Sequence, residues 1–441
     1  MNNLSHRILF LVLLTGLSVK AQQTQMLSLS QAIKTGLENS KNLKLSKAKV
    51  DIANARYSEA VDATIPTVGL TGNYTRNNNI TPFVFALPPS NVPVTLYPNI
   101  PNTYIGRASF SEVVFSGFRL KYAEASLKLV QQAVALDAQK DSDEVVYNIV
   151  SAYYNIYKIK KSQEIIADNL AQVKEHETET QSMEDNGTVT HNEVLRWELQ
   201  QSNVELAQLD LENNMNVANY NLDLMLGLKE DTKIEIDSAS LFSSKEFKSL
   251  QDYMMQAENN RGDLAALNAR SKSSENLVKI AENSYYPVVT IGADYYDARP
   301  NQRIFPPADV FNVGWDAGVT LTWDITNLYS NKHKIAEAKA TLNQSDAQRS
   351  ILSDDIKMEV NQDYLSYIEA KKRLDVMEKA ISNADENYRI TDNKYKNQLA
   401  LQTDLLDADN SLLQSKINLA LAKADAELAY YKLLKATGRI N

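Results

Sequence analysis

Residues Val313 to Asp324 read VGWDAGVTLTWD. The odd positions, Val313, Trp315, Ala317, Val319, Leu321 and Trp323, are all apolar, and the even ones, Gly314, Asp316, Gly318, Thr320, Thr322 and Asp324, are small or polar. Successive side chains of a strand point to opposite faces, so the alternation predicts a β-strand with one apolar and one polar face. A soluble sandwich would produce the same pattern. What favours a membrane is the placing of Trp315 and Trp323 on the apolar face, eight residues apart. That spacing is about 26 Å along a strand, or roughly 20 Å of depth once tilted, which suits aromatic girdles around an apolar band ~25 Å tall. The stretch therefore predicts a strand of an outer-membrane β-barrel in contact with lipid, with Trp315 and Trp323 as its girdle.

Three other stretches have the same character. Val289, Ile291, Ala293 and Tyr295 oppose Thr290, Gly292, Asp294 and Tyr296; Val68, Leu70 and Tyr74 alternate with Thr67, Thr71, Asn73 and Thr75; Tyr104, Ala108 and Phe110 alternate with Arg107, Ser109 and Ser111. Strands are expected over about 67–76, 104–114, 288–296 and 313–325. Four strands do not close a barrel. Two copies of the chain would make eight strands around a filled interior, whereas three would make twelve and leave a lumen, so a conducting pore calls for a homotrimer.

Outside these windows the chain is written for helices. Pro66, Pro82, Pro88, Pro89, Pro93, Pro98 and Pro101 form one cluster and Pro287, Pro300, Pro306 and Pro307 another, with none elsewhere. Proline breaks helix interiors, so the proline-free tracts predict long helices on either side of two β inserts. The tracts repeat. Ser28 to Leu43 aligns with Ser249 to Leu264 at an offset of 221, which also pairs Pro66 with Pro287. Beyond the inserts the offset is 211, pairing Ile149 with Val360, Glu193 with Asp404 and Gly227 with Gly438. An internal duplication follows: a first repeat over 22–227, an inter-repeat equatorial segment over 228–248 with a short strand at 232–236, and a second repeat over 249–441. Helices are expected over 29–64, 117–185 and 191–226, and again over 250–285, 327–397 and 401–437. A ~70-residue helix reaches roughly 105 Å, and Val145, Ile149, Ala152, Ile156, Ile159, Gln163, Ile166, Leu170 and Val173 give the first of them a heptad seam.

Composition removes most other classes. The 441 residues include no cysteine, which excludes disulfides, thiolate nucleophiles, cysteinyl metal sites and lipoprotein acylation. A net charge of -9 argues against nucleic acid as a partner. His6 and Arg7, the apolar run Ile8 to Val19 and the small residue Ala21 read as a signal peptide over 1–21. The remaining histidines, His176, His191 and His333, are isolated, and there is no phosphate loop or nucleophile elbow. No enzyme activity, cofactor or metal is expected. A secreted, non-conducting coiled-coil scaffold or adhesin would share the long helices, but has no use for an apolar face ending in Trp315 and Trp323.

Over the whole mature chain the sequence resembles the TolC family of outer-membrane efflux proteins. The resemblance rests on the duplicated helix, strand pair, long helix and returning helix; on Leu27-Ser28-Leu29-Ser30-Gln31-Ala32-Ile33; on the Pro66 and Pro287 helix exits; and on the joins Phe115-Ser116-Gly117 and Trp323-Asp324-Ile325. It implies a mostly α fold with a small β part: a homotrimer with a 12-stranded outer-membrane β-barrel continued by a periplasmic α-helical barrel. It also implies the exit duct of a tripartite efflux or type I secretion system, working with a periplasmic adaptor (membrane fusion) protein and an inner-membrane pump. In that family the periplasmic end closes where the long helix turns into the returning helix, through a tyrosine and two aspartates nine and twelve positions later. Tyr395, Asp404 and Asp407 match that spacing, while Gln398 stands where a turn glycine is usual and Ala400 where an arginine can occur. The equivalent turn of the first repeat keeps Gly187 and one acid, Glu193. Asp404 and Asp407 lie i, i+3 on one helix face, so threefold symmetry would gather six carboxylates. The proline-rich segments Pro82 to Pro101 and Pro300 to Pro307 are expected to be extracellular loops.

Overall fold

The computed structural model describes residues 24–86, 88–230, 232–238, 241–242 and 247–440; the expected signal peptide lies outside them. In chain order the elements are β1 (Thr24–Leu27), α1 (Leu29–Asn39), α2 (Lys41–Asp62), β2 (Thr67–Arg76), β3 (Phe83–Ala86), β4 (Pro93–Tyr97), β5 (Asn102–Phe115), α3 (Arg119–Asp185) and α4 (His191–Leu226). There follow β6 (Lys233–Ile236), α5 (Leu250–Asn260), α6 (Gly262–Glu282), a 3-10 turn (Asn283–Tyr285), β7 (Val288–Arg299), β8 (Asn312–Thr322), α7 (Asn327–Lys396) and α8 (Gln402–Ala436). The long helices α3 and α7 have 67 and 70 residues. The fold is mostly α with a small β part, as the proline distribution requires.

The duplication is visible in local chemistry. Ser28 opens α1 with a capping box in which its hydroxyl accepts from the Gln31 N–H and the Gln31 side chain accepts from the Ser28 N–H; Ser249 and Asp252 do the same at the head of α5. Each expected helix of some 36 residues is broken in two, at Ser40 (ψ 122) and at Arg261 (ψ 116), the same 221-residue offset apart. α4 ends on Gly227 (φ 65) and α8 on Gly438 (φ 67), both left-handed.

The chain packs as two compact units. The first comprises the described residues up to Ser40, Val145–Phe247 and Leu365–Lys432. Here β1 pairs in parallel with β6 from Thr24↔Lys233 to Leu27↔Ile236. The buried Tyr153 hydroxyl donates to the Leu27 carbonyl at 2.7 Å and that of Tyr154 to the Leu241 carbonyl at 3.1 Å, tying the strand pair to α3. Burial pushes the Tyr153 phenol up to about 12. α1 approaches α3 closely because position 36 is glycine: a Cβ there would collide with Ile149 and Leu226. Asn39 donates from Nδ2 to the Leu226 carbonyl at 2.8 Å, satisfying the C-terminus of α4. A second core gathers Ile166, Val173, Trp197, Val204, Tyr395 and Leu405. Ile149, Ile156, Ile166 and Val173 of the expected seam are buried; Val146, Val150, Tyr153 and Tyr154 widen it where α3 also meets the strand pair.

The second unit comprises the described residues of Lys41–Glu144, Lys248–Tyr364 and 433–440. Its helical core is Tyr253, Ala257, Ile356, Val360, Leu433 and Ala436. At the break before α6, Arg261 makes a bidentate pair with Asp263 (3.0 and 2.7 Å), pairs with Glu359, and donates to the Ala436 carbonyl at 3.2 Å. Burial raises the Asp263 carboxyl, but the Arg261 guanidinium outweighs it and holds that carboxyl below its usual range.

The sheet has the order β2-β5-β7-β8, antiparallel throughout. The register aligns the two faces of all four strands. One row runs Leu70–Ala108–Tyr295–Trp315 and the next polar row Gly69–Ser109–Asp294–Asp316. Val68, Phe110, Ala293 and Ala317 continue the apolar face, with Glu112 on it at the helix-proximal end. β2 and β8 each have one edge without a partner strand among the described residues. Two strand pairs were not expected from the sequence: β1 with β6, and a β3–β4 hairpin inside the proline-rich segment 82–101.

Candidate functional site

The two helix hairpins, α3–α4 and α7–α8, turn in the same way. The α3–α4 turn places Gly187 at φ 72, with its N–H donating to the Glu184 carbonyl and that of Thr188 to the Met183 carbonyl. The α7–α8 turn places Gln398 at φ 60, with Gln398 donating to Tyr395 and Leu399 to Lys394. Gln398 therefore takes the left-handed conformation that glycine takes in the first repeat, at a cost of about 1–2 kcal/mol. The two turns touch: the buried Gln402 side chain donates to the Glu193 carbonyl. His191 faces Glu184 at 3.1 Å on the surface.

Asp404 and Asp407 are exposed on one face of α8, with Thr403 and Asn410, while Leu405, Ala408, Asp409 and Leu412 face the core. The Asp404 carboxylate accepts from the Leu401 N–H at 3.1 Å, capping the start of α8. Tyr395 does not share their surface. It is 8% exposed and packs with Trp197, Val173 and Leu405. Its hydroxyl lies beside Thr180 and Trp197 without forming a hydrogen bond of normal geometry, and burial raises its pKa.

Beneath the exposed aspartates is a polar cluster that the sequence reading missed. Asp409 accepts from Asn169 Nδ2 on both carboxylate oxygens, at 3.1 and 3.0 Å. His176 stacks on Trp197 with ring centroids 4.8 Å apart and shares a 2.9 Å hydrogen bond with the Tyr388 hydroxyl. Burial raises the Asp409 carboxyl, opposed by the Asn169 bonds and by the nearby His176 and Lys416. Burial likewise pushes Tyr388 to about 12. The available signal was spacing: Asp409 falls between Leu405 and Leu412 on the 4,3 repeat that marks the buried seam.

In the sheet, Trp315 is 72% exposed on the apolar face and Trp323, just past the end of β8, is 49% exposed. The Trp323 indole donates to the Tyr285 carbonyl at 3.1 Å, anchoring it at the helix exit. The other face carries charge, with Arg107 3.8 Å from Asp294 and Arg303 2.8 Å from Asp316. Among the described residues no three histidine, aspartate or glutamate side chains are grouped to hold a metal, and no helix is long and apolar enough to cross a membrane.

The family model described as "Outer membrane efflux protein" matches residues 32–228 and 254–439. The chain is 22% identical over 431 residues to "Outer membrane efflux protein BepC" of Brucella suis biovar 1 (strain 1330), covering 97% of this chain and 89% of that one. It is 23% identical over 352 residues to "Toxin and drug export protein A" of Aggregatibacter actinomycetemcomitans, covering 75% and 72%. Among solved structures, the outer membrane protein VceC of Vibrio cholerae superposes with a TM-score of 0.79 at 18% identity, covering 94% of this chain and 97% of that one. With a channel-tunnel fold, a two-faced sheet and a family model that matches both halves, the chain belongs to the outer membrane efflux protein family and resides in the outer membrane with a periplasmic extension.

Proposed function

We propose that the protein is a passive export duct: three copies close their four-stranded sheets into one 12-stranded barrel, and the duct is opened when a periplasmic adaptor and an inner-membrane pump dock. The observation that carries the reading is the sheet, whose register segregates Leu70, Tyr295 and Trp315 from Asp294 and Asp316 and leaves β2 and β8 with open edges. An exposed edge of that length is an aggregation hazard unless another strand covers it, and a barrel of several copies covers both. The long helices carry further unpartnered apolar positions suited to a second copy, Leu199, Leu206, Leu209 and Val217 on α4 and Leu365 and Val376 on α7.

At the periplasmic end Asp404 and Asp407 form the constriction, six carboxylates in the trimer, with Tyr395 as the packing residue that fixes the turn. The test is Asp404→Asn combined with Asp407→Asn in planar bilayers. Asparagine keeps an acceptor for the Leu401 N–H, so the cap survives and only charge is lost. The double variant should lose cation preference and block by multivalent cations. A conducting duct with unchanged selectivity would remove the constriction assignment and leave the duct.

A further inference from the structure

The loop between β7 and β8 is folded back onto the polar face of its own sheet. Arg303 donates from Nη2 to Asp316 Oδ2 at 2.8 Å and from Nη1 to the Trp315 carbonyl at 3.3 Å. Its guanidinium also sits 5.2 Å from the centroid of the Tyr296 ring. That ring lies against the strand because its neighbour is Gly314: a Cβ there would come within 2.7 Å of it. Asp316 is in turn the cross-strand partner of Asp294. Two carboxylates directly opposite one another repel, and each is compensated by an arginine, Asp316 by Arg303 and Asp294 by Arg107.

The loop is built to present Arg303. Asn301, 4% exposed, donates from Nδ2 to the Asn312 carbonyl at 3.0 Å and accepts the Arg303 N–H on Oδ1 at 2.9 Å. Arg299 is arranged otherwise. It follows the apolar row through Tyr104, lies over the Tyr104 and Phe311 rings, and pairs with Asp309 at 2.8 Å. Arg303 thus holds the loop on the polar face, while Arg299, the last residue of β7, lies on the apolar one.

We propose that Arg303 is a specificity-determining residue of the outer mouth, which it narrows by holding the β7–β8 loop against the polar wall; this rests on the barrel reading, in which that face lines the lumen. Three copies then set the size of solute that passes and present a collar of guanidinium, carboxylate and tyrosine to it. Arg303→Gln removes both the ion pair and the cation–π contact.

The absence of cysteine makes the test direct. Thr320→Cys places one thiol per chain on the polar face, deeper than Asp316 as seen from the loop. Intact cells are treated with a small sulfonated maleimide or with a maleimide carrying a long polyethylene glycol chain. The small reagent should label Thr320→Cys in either background, and the large one should label it slowly until Arg303→Gln is added. The rate should then rise about tenfold, as loss of an ion pair and a cation–π contact together implies. Arg299→Gln, which removes the same charge from the end of β7 on the apolar face, should change nothing. Charge exchange, Arg303→Asp with Asp316→Arg, should recover the part of the slowing that belongs to the ion pair and not the part that belongs to the cation–π contact. Equal large-reagent rates with and without Arg303→Gln, or an equal effect of Arg299→Gln, would overturn the proposal. Asn91→Cys, labelled by both reagents, separates the readings: if it is unlabelled on intact cells, the topology fails and the proposal with it.

Discussion

Replacing Asp409 by asparagine should stabilise the helical core near the turns, and the reason lies in one unbalanced contact. The Asn169 amide nitrogen donates to both Asp409 oxygens, while the buried Asn169 side-chain oxygen has no hydrogen-bond partner among the described residues. Burial holds the Asp409 carboxyl above its ordinary pKa. A carboxyl whose folded pKa exceeds its unfolded value binds more protons folded than unfolded between the two, so the wild-type protein loses stability as pH rises through that interval. Asparagine carries no charge to desolvate, keeps an acceptor for Asn169 Nδ2 and brings a donor for the orphaned oxygen. Satisfying one buried polar atom contributes about 1–3 kcal/mol. Asp409→Asn should therefore raise the melting temperature of the detergent-solubilised protein, followed by helical circular dichroism. The gain should be largest where the wild-type carboxyl is charged and shrink as pH falls and that carboxyl takes up its proton. Asp409→Leu, which orphans both Asn169 groups, should melt below wild type. An asparagine variant that melts below wild type near neutrality, or keeps the wild-type pH dependence, would refute the reasoning.

Two other outcomes follow from the turns and loops. Gly187 has open space around it at φ 72, so Gly187→Ala should cost about 1–2 kcal/mol through backbone strain alone, read as a lower melting temperature; an alanine variant as stable as wild type would contradict the left-handed turn. An epitope inserted at Asn91, in the turn between β3 and β4, should be reached by antibody on intact cells; labelling only after permeabilisation would reverse the topology.

The parts of this fold that were legible are those governed by local period. Trp315 disclosed its face because strand side chains alternate, and the register of four strands honours that alternation row by row, whereas β8 stops at Thr322, one residue short of Trp323. β1 was not legible: Thr24–Leu27 has no alternation, and its partner lies some 200 residues away at Lys233–Ile236. The prolines that marked the first insert as irregular also hid the β3–β4 hairpin, which tolerates Pro93 at a strand start. The break at Arg261 is a tertiary matter. Gly262 lets that chain approach the Leu136 carbonyl, where a Cβ would stand 2.8 Å away, although Asn259, Asn260, Gly262 and Asp263, all weak helix formers, also marked the place in the sequence. At the candidate constriction the sequence located the exposed pair Asp404 and Asp407. It left Tyr395 with them, although its place on the seam buries it, and passed over Asp409, whose spacing between Leu405 and Leu412 marks a buried position but whose partner Asn169, 240 residues distant, no local pattern discloses.

The central claim, that copies of this chain complete one another's sheet in the outer membrane, is tested most directly by the mass of the particle extracted from native membranes in mild detergent. The account predicts a protein mass of three chains, each near 49.4 kDa less any removed leader, which dissociates to single chains only on heating. A single-chain species recovered from the periplasm without detergent would contradict it.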